Sequence, residues 1–497
     1  MTINNRTLQK KLILDKMEQV FLEINEKLPG LLTIGGSDAT FSESSKLIER
    51  CNLALISFTG TPTAVMDDTI KLMKSILASN ESYNIDYDQL MDLMSQMVIK
   101  YPFDRILELF TVEELALALN SPIERLNIMA CVVVEYSEPS GLFASTTLID
   151  ILLQKYLDED SSVNLVNSIE KVWKKTAQDE LIRRRILENN YNFLSEVKNN
   201  EPNSLVFTRL LELLKICFTY LKSTEFRDSL FLISKKMIMD AVKDNILVFI
   251  SICEYFTSIF SIVQDQKSQN PSKIICVRNC ENTIMLFGDL FQNRSEFPDI
   301  EQFALSYLFK MFKILSYFDD LVVFEKLDNG YIHMEDGNEY LTDFLSFISP
   351  QYLYKKHLNI IKSKGHVRPS EISIIRNLCM SSDCFDIIKK NITAEDILAM
   401  PYLEQMILLE KMSQYDYSVK FLAQHLPKVM GSLISKDVKE LLDRETFDFR
   451  LQVINNLIEW DVEQLHIWYE PLTEAKAQCM GTFASKDVGT KIESSFS

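Results

Sequence analysis

The sequence predicts an all-α protein, a HEAT- or armadillo-like α-solenoid built as a curved stack of helix pairs. Three observations indicate this fold class. Glycine (12) and proline (13) make up only about 5% of the 497 residues, against roughly 12% in average usage, which disfavours folds with many tight turns. Apolar residues recur at helical spacing along most of the chain. Helix pairs also recur with a period of about 40 residues, which is typical of HEAT and armadillo repeats.

The basic unit is visible at 401–434. Its apolar residues follow helical spacing in two runs, which are separated at Ser413–Gln414 and ended at Pro427. A helix pair of this kind cannot bury both of its apolar faces alone, so it needs neighbouring pairs of the same kind.

Taken in order, the chain begins with a helical pattern from Leu8 to Leu28. A run rich in Gly, Ser and Thr at 33–45 predicts a surface loop. Thr111 followed by Glu114 predicts a capping box at a helix start, and Ser121 with Glu124 predicts a second one. Helices therefore alternate with short breaks through this part of the chain.

The period becomes visible in the pairs Leu165–Val166, Leu205–Val206 and Leu247–Val248, each near the start of an apolar helix. After residue 263 it loosens, and loop insertions are predicted at 264–273 and 328–338. The second of these is acidic but lacks the ligand order of a calcium-binding EF-hand loop. We interpret residues 1–477 as a single elongated solenoid and 478–497 as a polar, disordered tail.

The run 246–263 is apolar enough to be considered as a membrane span. Because Glu254 lies in its middle, we interpret it instead as a buried solenoid helix in a soluble protein. The nine cysteines have no zinc-site spacing and are expected to be buried, reduced thiols.

The composition and motifs also limit the function. A net charge of −18 argues against a general nucleic-acid binder, because phosphate contacts need a basic surface. The sequence contains no phosphate loop, no dinucleotide fingerprint and no HExxH or GxSxG motif. We therefore predict no enzymatic activity, no cofactor and no metal. A helical enzyme whose site is assembled from distant residues stays open as an alternative.

In a solenoid, the polar stripes of the second helices line the concave side and suit a folded partner domain or a long peptide. A charged cluster at 179–185 contains Glu180 and Arg184, four residues apart and suited to a helical ion pair. Either a solvated helix or a partner contact explains that cluster. The predicted partner-binding residues are Thr147, Asp150 and Gln154, then Arg184, then Arg227, Asp228 and Lys235 on one predicted helix at 226–242, and Arg278, Glu281, Met285 and Asp289 on another at 273–292.

Several blocks spread over most of the chain resemble a fungal family of proteasome base-assembly chaperones that are also described as DNA mismatch repair proteins. The blocks are GLFASTTLIDILL from Gly141, DELIRRR from Asp179, PQYL from Pro350, PYLEQM from Pro401, PKVMGSLI from Pro427 and WYEPL from Trp468. None of them is a catalytic motif.

The resemblance implies a HEAT-repeat chaperone of the base of the 19S regulatory particle. Its expected partner is the C-terminal domain of one AAA-ATPase subunit of the base, with further base subunits left open. It also implies a repair phenotype, which we expect to be indirect. We expect a monomer before partner binding, a cytoplasmic location with the nucleus left open, and no membrane. A general scaffold or transport-adaptor solenoid stays as the alternative.

Overall fold

The computed structural model describes residues 2–35, 38–56, 58, 60–200, 203–222, 225–266, 273–319, 322–435, 443–460 and 462–486. These residues are predominantly helical and include no β-strand, so the predicted all-α class is confirmed. The chain divides into two compact units. Unit 1 contains residues 1–263 and 267–279, and unit 2 contains residues 264–266 and 280–497. This division differs from the single solenoid domain predicted for residues 1–477.

Unit 1 contains sixteen α-helices among its described residues. They are α1 (Thr2–Leu31), α2 (Asp38–Ile56), α3 (Ala64–Ala78), α4 (Tyr87–Lys100), α5 (Phe103–Leu109), α6 (Val112–Leu119), α7 (Glu124–Tyr136), α8 (Leu148–Tyr156), α9 (Val163–Thr176), α10 (Glu180–Arg184), α11 (Tyr191–Asn199), α12 (Ser204–Tyr220), α13 (Asp228–Phe231), α14 (Lys235–Asp244), α15 (Ile246–Asp265) and α16 (Ile274–Asn279). Residues Arg185–Asn189 form a π-helical turn between α10 and α11.

The helices of unit 1 pack in two layers. In layer A, α2, α4, α7, α9 and α12 each pack against the next helix of the series. Layer B contains α1 with α3, α6 with α8, and α11 with α13. The two layers are joined by packing such as that of α1 on α2, α6 on α7 and α8 on α9. This arrangement is the stacked-pair architecture of an α-solenoid, in which each pair buries the apolar face of its neighbour.

The predicted period is visible in the side chains that cap the starts of three helices, α9, α12 and α15. Ser162, Asn203 and Asn245 each accept a hydrogen bond from a backbone amide at the start of α9, α12 and α15. These residues are spaced by 41 and 42 positions in the chain. A side-chain oxygen at this position satisfies an amide that has no partner inside the helix. The regular cap spacing agrees with the period of about 40.

Helix α15 is the one helix in the described part of the chain whose length and composition would allow a membrane span. In unit 1, however, its Phe249, Phe256 and Phe260 are fully buried. Glu254 lies on the exposed side of the helix. This placement accounts for one charge within an apolar run and agrees with the prediction of a buried solenoid helix.

The described part of unit 2 contains fifteen α-helices. They are α17 (Glu281–Gln292), α18 (Leu305–Ser316), α19 (Val322–Leu327), α20 (Leu341–Phe347), α21 (Pro350–Lys356), α22 (Leu358–Lys364), α23 (Ile372–Leu378), α24 (Ser382–Ile388), α25 (Ala394–Ala399), α26 (Tyr402–Met412), α27 (Asp416–His425), α28 (Pro427–Ser435), α29 (Arg444–Ile458), α30 (Val462–Leu465) and α31 (Tyr469–Lys486). One layer is the series α20, α23, α26, α29 and α31, and the other includes α21, α24, α25, α27, α28 and α30.

Buried polar side chains cap helix C-termini in both units. The last carbonyl groups of a helix have no partner within it, and leaving them buried and unpaired is costly. In unit 1, Asn127 donates to the carbonyls of Ala118 and Leu119 at the end of α6. In unit 2, Asn377 does the same for Leu345 and Ile348 at the end of α20. Further residues that act in this way are Arg183, Lys198, Arg209, Lys273, Gln405 and Arg450.

Three predicted segments differ from the structure. The loop at 33–45 is largely helical, because α2 begins at Asp38, whose carboxylate suits the first turn of a helix. The loop at 328–338 begins with a π-helical turn, Asp328–Ile332, before His333 adopts a left-handed conformation. The tail predicted from residue 478 is helical as far as Lys486. Residues 487–497 and residues 267–272 of the predicted loop 264–273 lie outside the described residues.

Among the predicted helix starts, Thr111 and Glu114 form the expected capping box of α6. The second predicted capping box, at Ser121 and Glu124, was wrong. Ser121 accepts a hydrogen bond from the amide of Ile123, two residues on, and α7 begins at Glu124. The nine cysteines are buried and free, as predicted.

Candidate partner-binding surface

The predicted residues Thr147, Asp150 and Gln154 lie at the start and along one face of α8. Thr147 and Gln154 are exposed, whereas Asp150 is half-buried. Asp150 accepts a hydrogen bond from Arg185 Nε at 3.0 Å and another from Asn190 Nδ2 at 2.7 Å. Asp150 therefore links α8 to the π-helical turn between α10 and α11. Thr147 and Gln154 are the members of this group that are open to a partner.

The three arginines at 183–185 have three different environments. Arg183 is buried and caps α9 through the carbonyls of Ala177 and Gln178, so it does not belong to an exposed cluster. Arg184 is exposed. Arg185 is half-buried and pairs with Asp150.

The expected ion pair between Glu180 and Arg184 is absent. Glu180 instead pairs with Lys222, and Arg184 with Glu188 at 3.0 Å. The Lys222 hydrogen bond and charge lower the pKa of the Glu180 carboxyl. Helical spacing alone does not select the pair, because Glu188 also lies four residues from Arg184 and Lys222 lies within reach of Glu180.

The stripe Arg227, Asp228 and Lys235 lies on two short helices rather than one. Helix α13 ends at Phe231, and α14 begins at Lys235. The Arg227 guanidinium lies 5.2 Å from the centre of the Tyr191 ring, and Asp228 accepts a hydrogen bond from Asn279 Nδ2 at 3.0 Å. Arg227, Asp228 and Lys235 are exposed, and the first two also connect the start of α13 to α11 and α16.

The last stripe, Arg278, Glu281, Met285 and Asp289, is divided by a helix break. Helix α16 ends at Asn279 and α17 begins at Glu281, so the first residue belongs to unit 1 and the others to unit 2. Glu281 pairs with Lys326, and Asp289 accepts a hydrogen bond from Asn293 at 2.9 Å. Glu281, Met285 and Asp289 are half-buried. The predicted single stripe on one helix was therefore wrong.

The exposed candidates in unit 1 lie on or directly beside α8, α10, α13, α14 and α16. We name Thr147, Gln154, Arg184, Arg227, Asp228 and Lys235 the α8–α14 surface. It is polar, and the hydrogen bonds that Asp150 and Asp228 accept connect α8 to the π-helical turn and α13 to α16. Such a surface can bind another polypeptide. Among the described residues, no group of three or more His, Cys, Asp or Glu residues is placed to hold a metal ion.

Sequence reasoning missed a groove on layer A of unit 1. It has a volume of about 590 Å³ and is lined by residues of α4, α7 and α9. Asp88 and Asp92, four residues apart on α4, were the signal available in the sequence, since that spacing places them on one helix face. The partner residues on α7 and α9 could not be assigned to the same face without knowing which helices are neighbours.

These observations define an all-α solenoid protein with polar surfaces on successive helix pairs. A family model described as the N-terminal domain of DNA mismatch repair protein HSM3 matches residues 25–261, and the model of the C-terminal domain matches residues 273–497. The chain is 99% identical over 481 residues to DNA mismatch repair protein HSM3 of Candida glabrata, covering 97% of this chain and 100% of that protein.

More distant relatives carry the same name. The identity is 35% over 431 residues for DNA mismatch repair protein HSM3 of Saccharomyces cerevisiae, covering 86% of this chain and 88% of that protein. For the Candida albicans protein of the same name it is 22% over 456 residues, covering 86% and 89%. The chain belongs to the HSM3 family of DNA mismatch repair proteins. The two family models also separate close to the boundary between units 1 and 2.

Proposed function

We propose that this protein is an assembly chaperone of the base of the 19S regulatory particle of the proteasome, and that it binds the C-terminal domain of one AAA-ATPase subunit. The observation that supports this role most strongly is the set of six sequence blocks from Gly141 to Trp468, which resemble that chaperone family over most of the chain. Membership of the HSM3 family extends over the same length.

The α8–α14 surface is our proposed contact for that domain. Thr147, Gln154, Arg184 and Lys235 are exposed, so a partner can reach them without disturbing the core. The hydrogen bonds that Asp150 accepts from Arg185 and Asn190 fix α8 relative to the π-helical turn. A surface that is already ordered loses little conformational entropy when it binds a folded domain.

A role in mismatch repair, as the names of the relatives indicate, is proposed to be indirect. The net charge is −18, and DNA binding depends on basic side chains that neutralise phosphates. Two of the three consecutive arginines, Arg183 and Arg185, are occupied within the fold, by helix carbonyls and by Asp150. We therefore propose that the effect on repair passes through a protein partner.

The alternative is a scaffold or transport-adaptor solenoid, which would be expected to present regular arrays of tryptophan or asparagine on its inner face. The positions of the three tryptophans argue against it. Trp173 is fully buried, Trp460 donates a hydrogen bond to the carbonyl of Ser413, and Trp468 donates to the carbonyl of Ala423. Each indole group is thus used in packing the fold. We also propose a non-enzymatic, cytoplasmic protein that is monomeric before it binds its partner and needs no cofactor.

The test is to mix the purified full chain with the isolated C-terminal domain of each of the six base ATPases. We expect selective binding to one of them. Binding to none would overturn the chaperone proposal. The placement of the contact is tested with the double variant Arg184→Glu and Lys235→Glu, which should weaken the complex at least about tenfold.

The matched control is the double variant Lys355→Glu and Lys362→Glu in unit 2. It changes the charge by the same amount at residues that are also exposed. Equal affinities of the two double variants would remove the α8–α14 surface as the contact while leaving the chaperone proposal in place.

A further inference from the structure

The groove on layer A of unit 1 is formed by three helices, and α7 packs directly against both α4 and α9. Its volume of about 590 Å³ lies within the roughly 300–1,000 Å³ that is usual for pockets that bind small groups. Met91, Ile128 and Val132 give it an apolar part, while acidic, amide and hydroxyl side chains give it a polar part. The groove therefore suits a group with an apolar stem and a polar head.

Three carboxylates line this groove, those of Asp88, Asp92 and Glu135. None of them takes part in an ion pair within 4 Å in the part of the chain that the structure describes. Burial raises the pKa of Glu135, while the positive charge of Lys171 and a hydrogen bond with Tyr136 act in the opposite direction. The groove thus contains a partly buried carboxylate whose charge the fold does not fully compensate.

The two basic residues of the groove do not neutralise it. Arg125 donates to the carbonyl of Ser79 at 3.1 Å, and its guanidinium lies 4.3 Å from the centre of the Tyr87 ring. These two contacts already hold the guanidinium within the fold. Lys171 is exposed. The carboxylates are also not grouped closely enough to hold a metal ion. A long organic cation is the remaining kind of ligand that matches the shape and the charge.

We infer that this groove receives a lysine or arginine side chain from the surface of the protein partner. This inference rests on the proposed function. It adds a contact on layer A that is separate from the contact proposed for the α8–α14 surface. The cationic head would pair with Asp92 and Glu135 and lie near the ring of Tyr136. The aliphatic stem would lie against Met91 and Val132. Binding would compensate the charge of Glu135, which the free protein leaves partly desolvated.

The experiment measures the affinity of the full chain for each of the six C-terminal ATPase domains at two salt concentrations. The double variant Asp92→Asn and Glu135→Gln should bind the selected domain at least about tenfold more weakly than the natural chain, with a smaller salt dependence. Lys171→Gln removes a positive charge that would repel the partner's cationic side chain, so it should tighten binding about two- to fivefold. Circular dichroism should show that these variants keep their helix content.

The matched control is the double variant Glu301→Gln and Asp343→Asn, which removes two exposed negative charges from unit 2. It should bind within about twofold of the natural chain. If the natural chain binds none of the six domains, the proposed function and this inference both fail. If it binds one of them, and the groove variant and the control bind equally well, this inference is overturned while the proposed function stands.

Discussion

The guanidinium of Arg450 donates two hydrogen bonds to the carbonyl oxygen of Leu433, at 3.1 Å from Nε and 2.9 Å from Nη2, and it is fully buried. Arg450 lies on α29, and Leu433 lies in the last turn of α28. The side chain therefore satisfies a carbonyl at the end of a neighbouring helix. Each such cap fixes the position of one helix against the end of another.

The change Arg450→Met tests this cap. It keeps much of the apolar stem but leaves buried carbonyls without a donor, so we expect the free energy of unfolding to fall by about 2–3 kcal/mol. Urea unfolding followed by circular dichroism measures the loss. The control is Arg444→Met on the same helix, where Arg444 is 83% exposed and its pair with Asp448 spans 3.7 Å. It should change stability by less than about 0.5 kcal/mol, and equal effects of the two changes would contradict the capping role.

Asp328 provides a prediction of acid sensitivity. Its burial would raise its pKa, but hydrogen bonds from His357, Tyr352 and the amide of Met334 outweigh burial and lower the pKa below the usual 3.8. A depressed carboxyl pKa contributes stability above the unfolded-state pKa and loses it as the pH falls through the folded-state value. The difference in unfolding free energy between the natural chain and Asp328→Asn should therefore shrink as the pH drops from 5 to below about 4.

Urea unfolding at a series of pH values measures this difference. Asp343→Asn, an exposed change in the same unit, serves as the control and should show little pH-dependent difference from the natural chain. A constant difference between the natural chain and Asp328→Asn down to pH 3 would argue against an ionised Asp328 in the fold.

Lys198 gives a pH dependence of the same sign, but at alkaline pH. Its ammonium group donates to the carbonyls of Ser229 and Leu230, at 2.8 and 3.1 Å, and to that of Leu232. Burial lowers its pKa from 10.5 to about 8. Between these values the unfolded chain binds more protons than the folded one, so the contribution of this residue to stability rises with pH. The unfolding free energy of the natural chain relative to Lys198→Met should therefore increase from pH 8 to pH 10.

The same series with Lys235→Met, at an exposed position, should show no such trend. If the difference for Lys198→Met falls over that pH interval, the assignment of a depressed lysine pKa is wrong.

The nine cysteines should be unreactive in the folded protein. All of them are buried, and burial raises, for example, the pKa of Cys51 to about 12 and that of Cys276 to about 11. Because the thiolate is the reactive form, a thiol reagent at pH 8 should label the native chain slowly and label nine groups after denaturation. Gln154→Cys adds an exposed thiol and should give one fast reaction. Several fast reactions in the natural chain would contradict the buried assignment.

Much of the fold could be predicted because it depends on local information. The spacing of apolar residues identifies helices such as α15, and the Thr111–Glu114 capping box marks a helix start through contacts only three residues apart. The predictions failed where helical spacing alone did not determine the local structure or the partner of a side chain. Residues 226–242 were predicted to form one helix, but the chain leaves the helix between Phe231 and Lys235. Glu180 and Arg184 likewise have the spacing of a helical ion pair, but their side chains pair with Lys222 and Glu188.

The candidate surfaces were less accessible to sequence reasoning. Asp150 was predicted to face a partner, yet its carboxylate binds Arg185, 35 residues away. The groove lined by Asp92 and Glu135 combines three helices that are separate in the chain. Sequence periodicity shows which face of a helix is polar. It does not show which two polar faces meet.

The sequence by itself determined the all-α class, the repeat spacing near 40 residues and the family, because helical periodicity, helix caps and ordered sequence blocks are all written along the chain. Only the tertiary structure decided which charged residues remain open to a partner. Arg183 and Arg450 look like surface residues in the sequence but lie buried against the carbonyls of other helix ends. Their roles depend on helix neighbours, and packing of the apolar faces, rather than the charges themselves, selects those neighbours.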